Sequence, residues 1–222
     1  ISELLKKYME FHHNENRQLV LSEKKDDFRQ KAYTFLARSM LDGSTDVREY
    51  LDFFWNFFKA VECLGANNYK EGFDFLSEAY VSFTRLFKDQ EGIWLLKPLR
   101  LMTKYLRIFA IESYKITGND ENIKTSINNL RSLLSLMNLS KASPVISKKR
   151  GLIFSAKELG HMCFKIRKYM DCSKNISDAE AFLQSPEINR TDFSKSDLVP
   201  LKYYEGRVAL FESQVVKASK CL

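Results

Sequence analysis

Glycine and proline are scarce in this chain, which has eight glycines and four prolines among 222 residues. Because these two residues interrupt helices most strongly, their scarcity leaves long segments in which a helix can continue. Convincing runs of alternating apolar and polar residues, which are typical of half-buried strands, are also missing. The sequence therefore predicts an all-α protein.

Cysteine is infrequent and unpatterned. Cys63, Cys163, Cys172 and Cys221 form no Cys-x-x-Cys or Cys/His arrangement. A zinc site or a disulfide framework would need such spacing, so neither is expected, and a reducing compartment fits best.

Motifs that carry catalysis are absent too. The chain has three histidines and contains no Gly-rich phosphate loop, nucleophile elbow or His-Glu-x-x-His motif. His12 and His13 would point to different sides of a helix, so they are not expected to share a metal ion. Acidic pairs such as Asp120-Glu121 stand where helices are expected to begin, and the helix dipole explains them. We predict no enzyme activity, no cofactor and no small-molecule substrate.

Long apolar runs are missing as well. None approaches the roughly 20 residues that a transmembrane helix needs, and the first ten residues carry four charged side chains, unlike a secretory signal. The composition, 45% hydrophobic and 28% charged, is that of a globular protein with a substantial core and no membrane partner. The chain begins with Ile1 rather than Met and reaches Leu222 early in its last predicted helix, so we expect the natural protein to be longer.

Helical periodicity is what the chain does contain. It predicts ten helices, over about residues 1–20, 25–41, 46–64, 68–88, 93–117, 121–138, 148–171, 176–184, 197–212 and 214 onward. The Gly- and Asn-containing connections, at 42–44, 65–68, 90–92 and 118–120, are short and favour antiparallel neighbours. We therefore predict one irregular α-solenoid of stacked antiparallel helical hairpins over residues 1–222, similar to tetratricopeptide repeats but without a fixed period.

The hairpin over residues 50–87 gives the clearest core prediction. Apolar residues at helical spacing form one stripe on each helix, and they are Phe54, Phe58, Val61 and Leu64, then Phe73, Leu76, Tyr80, Phe83 and Phe87. Helical spacing of this kind is far more typical of core packing than of a binding site.

Two segments carry most of the positive charge. Between Val145 and Met170 there are seven Lys and Arg residues against Glu158 alone, a local charge of +6. The helical projection places the basic side chains together, opposite an apolar face, so we expect one buried face and one exposed basic ridge. A second ridge is expected on the preceding long helix. The candidate binding residues are Lys148, Lys149, Arg150, Lys157, Lys165 and Lys168 on the first ridge, and Lys97, Arg100, Lys104 and Arg107 on the second.

The basic ridges leave three interpretations open. They can contact RNA or DNA, they can bind an acidic protein segment, or they can be solvated faces without a specific partner. Nucleic-acid contact would be independent of sequence and sensitive to salt, because no base-reading element is present. Aromatic side chains that could stack bases are not evident on the ridges, since Phe154 and Tyr169 are expected to lean toward the core or its flank.

The last segment has the pattern of a helical unit that is cut short. Its apolar stripe runs through Leu201, Tyr204, Val208, Phe211 and Val215, while Gly206 and Ala209 leave room for a neighbouring helix to approach. Three residues at or beyond the edge of this stripe are candidates for a protein interface, and they are Lys202, Tyr203 and Arg207.

The same segment carries a resemblance to a known family. The pattern Tyr203-Tyr204-x-Gly206-Arg207-x-Ala209-Leu210-Phe211, followed by Lys217-Ala218 and Leu222, resembles the entry to a PCI domain. It is most similar to the branch that contains the PCI subunit of the nuclear transcription-and-export complex and the PCI protein associated with the COP9 signalosome. The segments 148–154 and 94–110 agree with that branch, and the resemblance extends over roughly residues 50–222.

This resemblance implies an α-solenoid in which residues 197–222 begin a PCI domain that leads into a winged helix, which this chain does not include. It implies assembly with a second PCI-domain protein, braced by a small acidic protein shared with the proteasome lid. Such proteins are non-catalytic scaffolds in mRNA export, transcription-coupled processing or splicing, or are attached to the signalosome. The expected location is the nucleus, with the cytoplasm as a second location. The alternative function is a helical module that binds RNA or DNA directly through its basic ridges.

Overall fold

A computed structural model describes residues 47–89 and 93–222. All regular structure within these residues is helical and comprises eight α-helices and four short 3-10 helices. The helices predicted over 1–20 and 25–41, the connections at 42–44 and 90–92, and His12 and His13 lie outside the described residues. The chain divides into two compact units between residues 90 and 91.

The first unit contains a helical hairpin. Helix α1 (Val47–Gly65) and helix α2 (Tyr69–Asp89) each match their predicted ranges to within one residue. The turn between them closes where Asn67 takes a left-handed conformation with φ 55°, and the Asn68 amide donates to the Cys63 carbonyl. Asn tolerates this conformation better than most residues do, so the predicted turn is confirmed.

The core of this hairpin is aromatic. Every residue of the two predicted stripes is buried, and Phe53 and Phe57 are buried as well. The ring centroids of Phe53 and Phe83 are 5.3 Å apart, and Glu49 pairs with Arg85 at 3.2 Å. These contacts join the start of α1 to the end of α2, so the two helices are antiparallel, as predicted.

The second unit begins with another helical pair. A 3-10 turn (Ile93–Leu95) leads into helix α3 (Leu96–Thr117), which has Pro98 in its first turn, where its missing amide proton costs nothing. Gly118, with φ 69°, ends α3 and donates its amide to the Tyr114 carbonyl. Helix α4 (Glu121–Asn138) then follows over its predicted range.

The helix predicted over residues 148–171 forms over only part of that range. A 3-10 turn (Lys148–Gly151) precedes helix α5 (Leu152–Lys165), and a second 3-10 turn (Tyr169–Cys172) follows it. The chain reverses between them because Arg167 takes a left-handed conformation with φ 62°, and the Lys168 amide donates to the Cys163 carbonyl. This hydrogen bond satisfies a carbonyl group at the end of the helix. In many other helices a glycine takes the left-handed conformation that allows such a bond.

Three helices complete the unit. Helix α6 (Ser173–Leu183) is followed by a connection that contains the 3-10 turn Arg190–Asp192. Helix α7 (Lys195–Phe211) begins after Ser194, whose hydroxyl accepts from the Ser196 amide, and helix α8 (Val215–Cys221) ends the unit. Ser commonly caps helices, which explains the start of α7, and all three helices begin within about three residues of their predicted starts.

Helix α5 lies at the centre of this unit and contacts α3, α4, α6 and α7. Ten of its 14 residues are buried, including Glu158 and Gly160. A Cβ atom added at Gly160 would lie 2.7 Å from a ring carbon of Tyr204 on α7, so glycine permits the two helices to approach closely. No helix within residues 47–89 or 93–222 is long and apolar enough to cross a membrane.

Candidate functional site

The two predicted basic ridges meet in the structure. Arg100 and Arg107 project from α3, and Lys157 projects from α5, toward two carboxylates that lie between these helices and α7. Arg100 pairs with Asp197 at 2.5 Å, and Lys157 pairs with the same carboxylate at 2.9 Å. The result is a charge network with alternating signs.

Glu158 continues this network. It pairs with Lys157 at 2.9 Å and accepts a hydrogen bond from the Arg107 guanidinium. The side chain of Asp197 is 3% exposed and that of Glu158 is 7% exposed, so both charges depend on their partners rather than on water. No sequence pattern indicates that Lys157 pairs with Asp197 or that Arg107 pairs with Glu158, because the members of these pairs lie 40 and 51 residues apart along the chain.

The solvent-facing ridge expected on α5 is present only in part, because Lys165 is exposed while two other predicted members are paired with carboxylates. Lys157 is a partner in the network, and Arg150 pairs with Asp192 at 3.3 Å and lies over the Phe193 ring. Lys168 lies beyond the end of the helix. A central helix that packs on four neighbours has no wide solvent face, which a two-sided helical projection does not anticipate.

The other predicted cations remain nearer the surface. Lys97, Lys104, Lys165 and Lys168 are exposed, and Lys149 is half-buried in the 3-10 turn beside Lys148. Lys104 and Lys165 approach the rings of Tyr105 and Tyr114 at 5.9 and 6.0 Å.

His161 stands next to the charge network on α5. Desolvation and the nearby Arg107 guanidinium lower its pKa, which favours the neutral imidazole. No cluster of three His, Cys, Asp or Glu residues in the described part of the chain could hold a metal ion.

An aromatic ladder joins the end of α5 to α7. Its five rings follow one another in the order Tyr203, Tyr204, Phe164, Tyr169 and Phe211, with centroid distances of 5.5, 5.0, 4.9 and 4.2 Å. The last pair is parallel, with an interplanar angle of 6°. The sequence predicts that Tyr169 leans toward the core or its flank, and in the structure it is half-buried and stacks on the half-exposed Phe211 ring.

Arg207 lies on this aromatic ladder. Its guanidinium carbon is 5.3 Å from the Phe164 centroid and 5.6 Å from the Tyr203 centroid, and it donates a hydrogen bond of 2.6 Å to the Tyr203 hydroxyl. The spacing of Tyr203 and Arg207, four residues apart on one helix, signals this contact. The ring on α5 that completes it could not be found from spacing.

Lys202 belongs to a third cluster, around Glu180 on α6 and Glu205 on α7. Its ammonium lies 2.6 Å from Glu205 and 3.7 Å from Glu180, and Lys217 on α8 lies 3.4 Å from Glu205. Burial raises the pKa of Glu180, and the neighbouring Glu205 carboxylate raises it further. Burial alone would raise the pKa of Glu205 as well. The hydrogen bond from Lys202 and its positive charge have a larger effect together, so the pKa of Glu205 is lowered. This cluster therefore connects α8 to α7 and α6.

Helix α8 leaves an aliphatic patch in solvent. Leu210, Val215, Val216 and Leu222 are 48%, 67%, 71% and 62% exposed, while Ala218 alone is buried on this helix. The helix reaches α7 at Gly206, where an added Cβ atom would lie 2.8 Å from Leu222. The predicted close approach at Gly206 is thus confirmed, whereas the last two residues of the predicted apolar stripe, Phe211 and Val215, are 49% and 67% exposed.

No family model matches the chain, and no solved structure matches it. The PCI family therefore stays a prediction from the sequence pattern.

Proposed function

We propose that this chain is the helical arm of a non-catalytic scaffold subunit in a multisubunit complex. The observation that carries the proposal is the aliphatic patch formed by Leu210, Val215, Val216 and Leu222. Single exposed apolar residues are common on protein surfaces, but four within 13 residues at one end of a unit are typical of an interaction site.

The internal charge network supports a structural role for the basic helices. Four of the ten predicted binding cations, Arg100, Arg107, Arg150 and Lys157, are paired with carboxylates of the same unit. A cation held this way would have to give up its carboxylate partner before it could contact a phosphate. Direct nucleic-acid binding by the ridges is therefore the less favoured function.

The complex we propose is of the PCI type, on the strength of the resemblance. In this proposal the helices form an irregular solenoid, residues 197–222 open the PCI domain, and a winged helix beyond them pairs with a second PCI-domain protein. The small acidic protein shared with the proteasome lid would brace that pair. The proposed setting is nuclear mRNA export, transcription-coupled processing or splicing, or association with the COP9 signalosome.

Affinity purification of the tagged full-length protein tests the PCI assignment. We expect a second PCI-domain protein and the small acidic protein to be recovered with it. Recovery of neither would refute the family, whatever the state of the aliphatic patch.

A double variant tests the surface itself. Val215→Ser with Val216→Ser should release the partner while leaving the fold intact, because both side chains are already exposed. The matched control is Ile116→Ser with Leu139→Ser, which removes two side chains that are 67% and 73% exposed at other helix ends. Equal recovery of the partner with both double variants would show that the patch is not the interface.

A further inference from the structure

The aromatic ladder differs from the core aromatics in its exposure. Phe57 and Phe109 are fully buried, whereas the two end rings of the ladder, Tyr203 and Phe211, are 43% and 49% exposed. The three rings between them are half-buried. The ladder therefore holds two half-exposed aromatic side chains against other rings, with Phe211 stacked on Tyr169 and Tyr203 edge-on to Tyr204.

Positive charge surrounds the ladder. The segment from Phe164 to Tyr169 interleaves two of its rings with Lys165, Arg167 and Lys168, all three of which are exposed. Arg207 lies directly on the rings from the α7 side.

Acidic groups near the ladder are already engaged. Asp171 pairs with Arg131 at 3.4 Å, and Glu212 accepts hydrogen bonds from Ser173 and Gln214. Residues 93–222 carry 22 Lys and Arg side chains against 12 Asp and Glu side chains, which gives them a net charge of +10. The local and the wider charge therefore both favour an anionic ligand.

We propose that this ladder binds single-stranded nucleic acid. Bases would stack on Tyr203 and Phe211, while Arg167, Lys168 and Arg207 contact the phosphates. Exposed aromatic faces interleaved with cations are what sequence-tolerant single-strand binding requires, because every base has a flat face and every nucleotide a phosphate. A duplex would fit poorly, since its bases are already stacked. The site is separate from the scaffold role and uses none of the four aliphatic residues.

An acidic peptide is the competing ligand. A peptide would gain most from aliphatic surface that it could cover, and none of the five ladder side chains is aliphatic. The ladder instead offers two flat rings and a run of cations, and stacking on such rings is more specific to bases. The observations therefore favour nucleic acid.

Fluorescence anisotropy with the full-length protein tests the proposal. The probes are a labelled single-stranded oligouridylate, the matching oligothymidylate and an RNA duplex. We expect both single strands to bind more tightly than the duplex, and a difference between the first two would show whether RNA or DNA is preferred. Equal or tighter binding of the duplex would overturn the proposal, as would no binding at low salt.

Two aromatic variants define the contribution of the rings. Tyr203→Leu with Phe211→Leu keeps apolar side chains but removes the flat faces, and should weaken single-strand binding about tenfold or more. Trp94→Leu is the matched control, because Trp94 is 51% exposed in the same unit but lies outside the ladder. An equal effect of the two variants, or no effect of the first, would contradict stacking on the ladder.

A charge variant gives an independent answer if the aromatic variant does not fold. Arg167→Ala with Lys168→Ala removes two exposed cations beside the rings and should reduce the salt slope by about 0.7 for each phosphate that the protein no longer neutralises. Lys97→Ala with Lys104→Ala removes the same charge from α3 and should change affinity and slope much less. Equal reductions in affinity would refute a specific role for the ladder and leave only general electrostatic attraction. Capture of an acidic peptide but not of RNA by the wild-type protein would identify a protein site instead.

Discussion

Asp197 is the residue on which the buried charge network most depends. It pairs with Arg100 from α3 and with Lys157 from α5, and its own helix is α7. The change Asp197→Asn keeps the shape of the side chain and removes its charge. It therefore tests whether this carboxylate joins the three helices.

The loss of stability expected for Asp197→Asn depends on which interactions Arg100 and Lys157 would keep. A hydrogen bond to a charged group contributes about 1.5 to 3 kcal/mol, and stripping a fully buried pair of one member costs about 3 to 5 kcal/mol. Arg100 is 46% exposed and can be solvated again, and Lys157 keeps Glu158 at 2.9 Å. Asp197 also stands in the first turn of α7, where a negative charge stabilises the helix by about 0.3 to 1 kcal/mol. We expect Asp197→Asn to lower the free energy of unfolding by about 2 to 3 kcal/mol.

The assay must report on the second unit alone. The chain has two tryptophans, Trp55 in the first unit and Trp94 in the second, so urea unfolding of a Trp55→Phe background followed by fluorescence reports on the second. The matched control is Asp192→Asn. Asp192 is 44% exposed and pairs with Arg150 at 3.3 Å, so its removal should cost less than about 1 kcal/mol.

The two variants should also respond differently to salt. The cost of Asp192→Asn should shrink at high ionic strength, because an exposed pair is screened, while the cost of Asp197→Asn should persist. If Asp197→Asn costs no more than Asp192→Asn at any salt concentration, the network does not hold the helices together and the reasoning is refuted.

Two further predictions concern other contacts of the same unit. The pKa of Glu180 is higher in the native state than in the unfolded chain, so the native state binds the Glu180 proton more tightly. The free energy of unfolding should therefore fall as pH rises from the ordinary pKa of a glutamate through the raised pKa of Glu180. Glu180→Gln should remove this fall and gain stability over wild type in that window, as measured by urea midpoints at several pH values; an unchanged profile would contradict it. Gly160→Ala should destabilise the protein by about 1 to 3 kcal/mol in the same urea assay, because the new methyl group would meet the Tyr204 ring. A gain in stability, which alanine normally brings to a helix, would show that the ring moves aside freely.

Local periodicity explains why some of this fold is predictable. The predicted range 121–138 agrees with helix α4 at both ends, and both stripes of the first hairpin are buried, because a helix that packs on one neighbour repeats its apolar residues every three or four positions. The same rule fails for α5. Ile166 and Met170 continue its apolar pattern, yet the chain turns at Arg167, and no glycine marks that reversal.

Charge is harder to interpret from sequence. A helical projection shows which cations share a face, but it does not show a carboxylate that arrives from another helix. Arg107 and Glu158 are 51 residues apart, and their pairing depends on how α3 packs against α5. The aromatic ladder escapes prediction for the same reason, since Phe164 and Tyr169 meet their partners only when α7 returns beside α5.

The two proposed surfaces adjoin on α7 but can be tested with different side chains. Leu210 of the aliphatic patch stands seven residues after Tyr203 of the aromatic ladder, so both side chains project from nearly the same side of the helix. Val215 and Val216 lie on α8, outside the ladder, and their substitution leaves its rings unchanged. Val215→Ser with Val216→Ser should leave single-strand affinity unchanged, and Tyr203→Leu with Phe211→Leu should leave recovery of the protein partner unchanged. If each variant abolished both activities, one shared surface or a general loss of structure would be the better explanation, and circular dichroism of the two variants would decide between these.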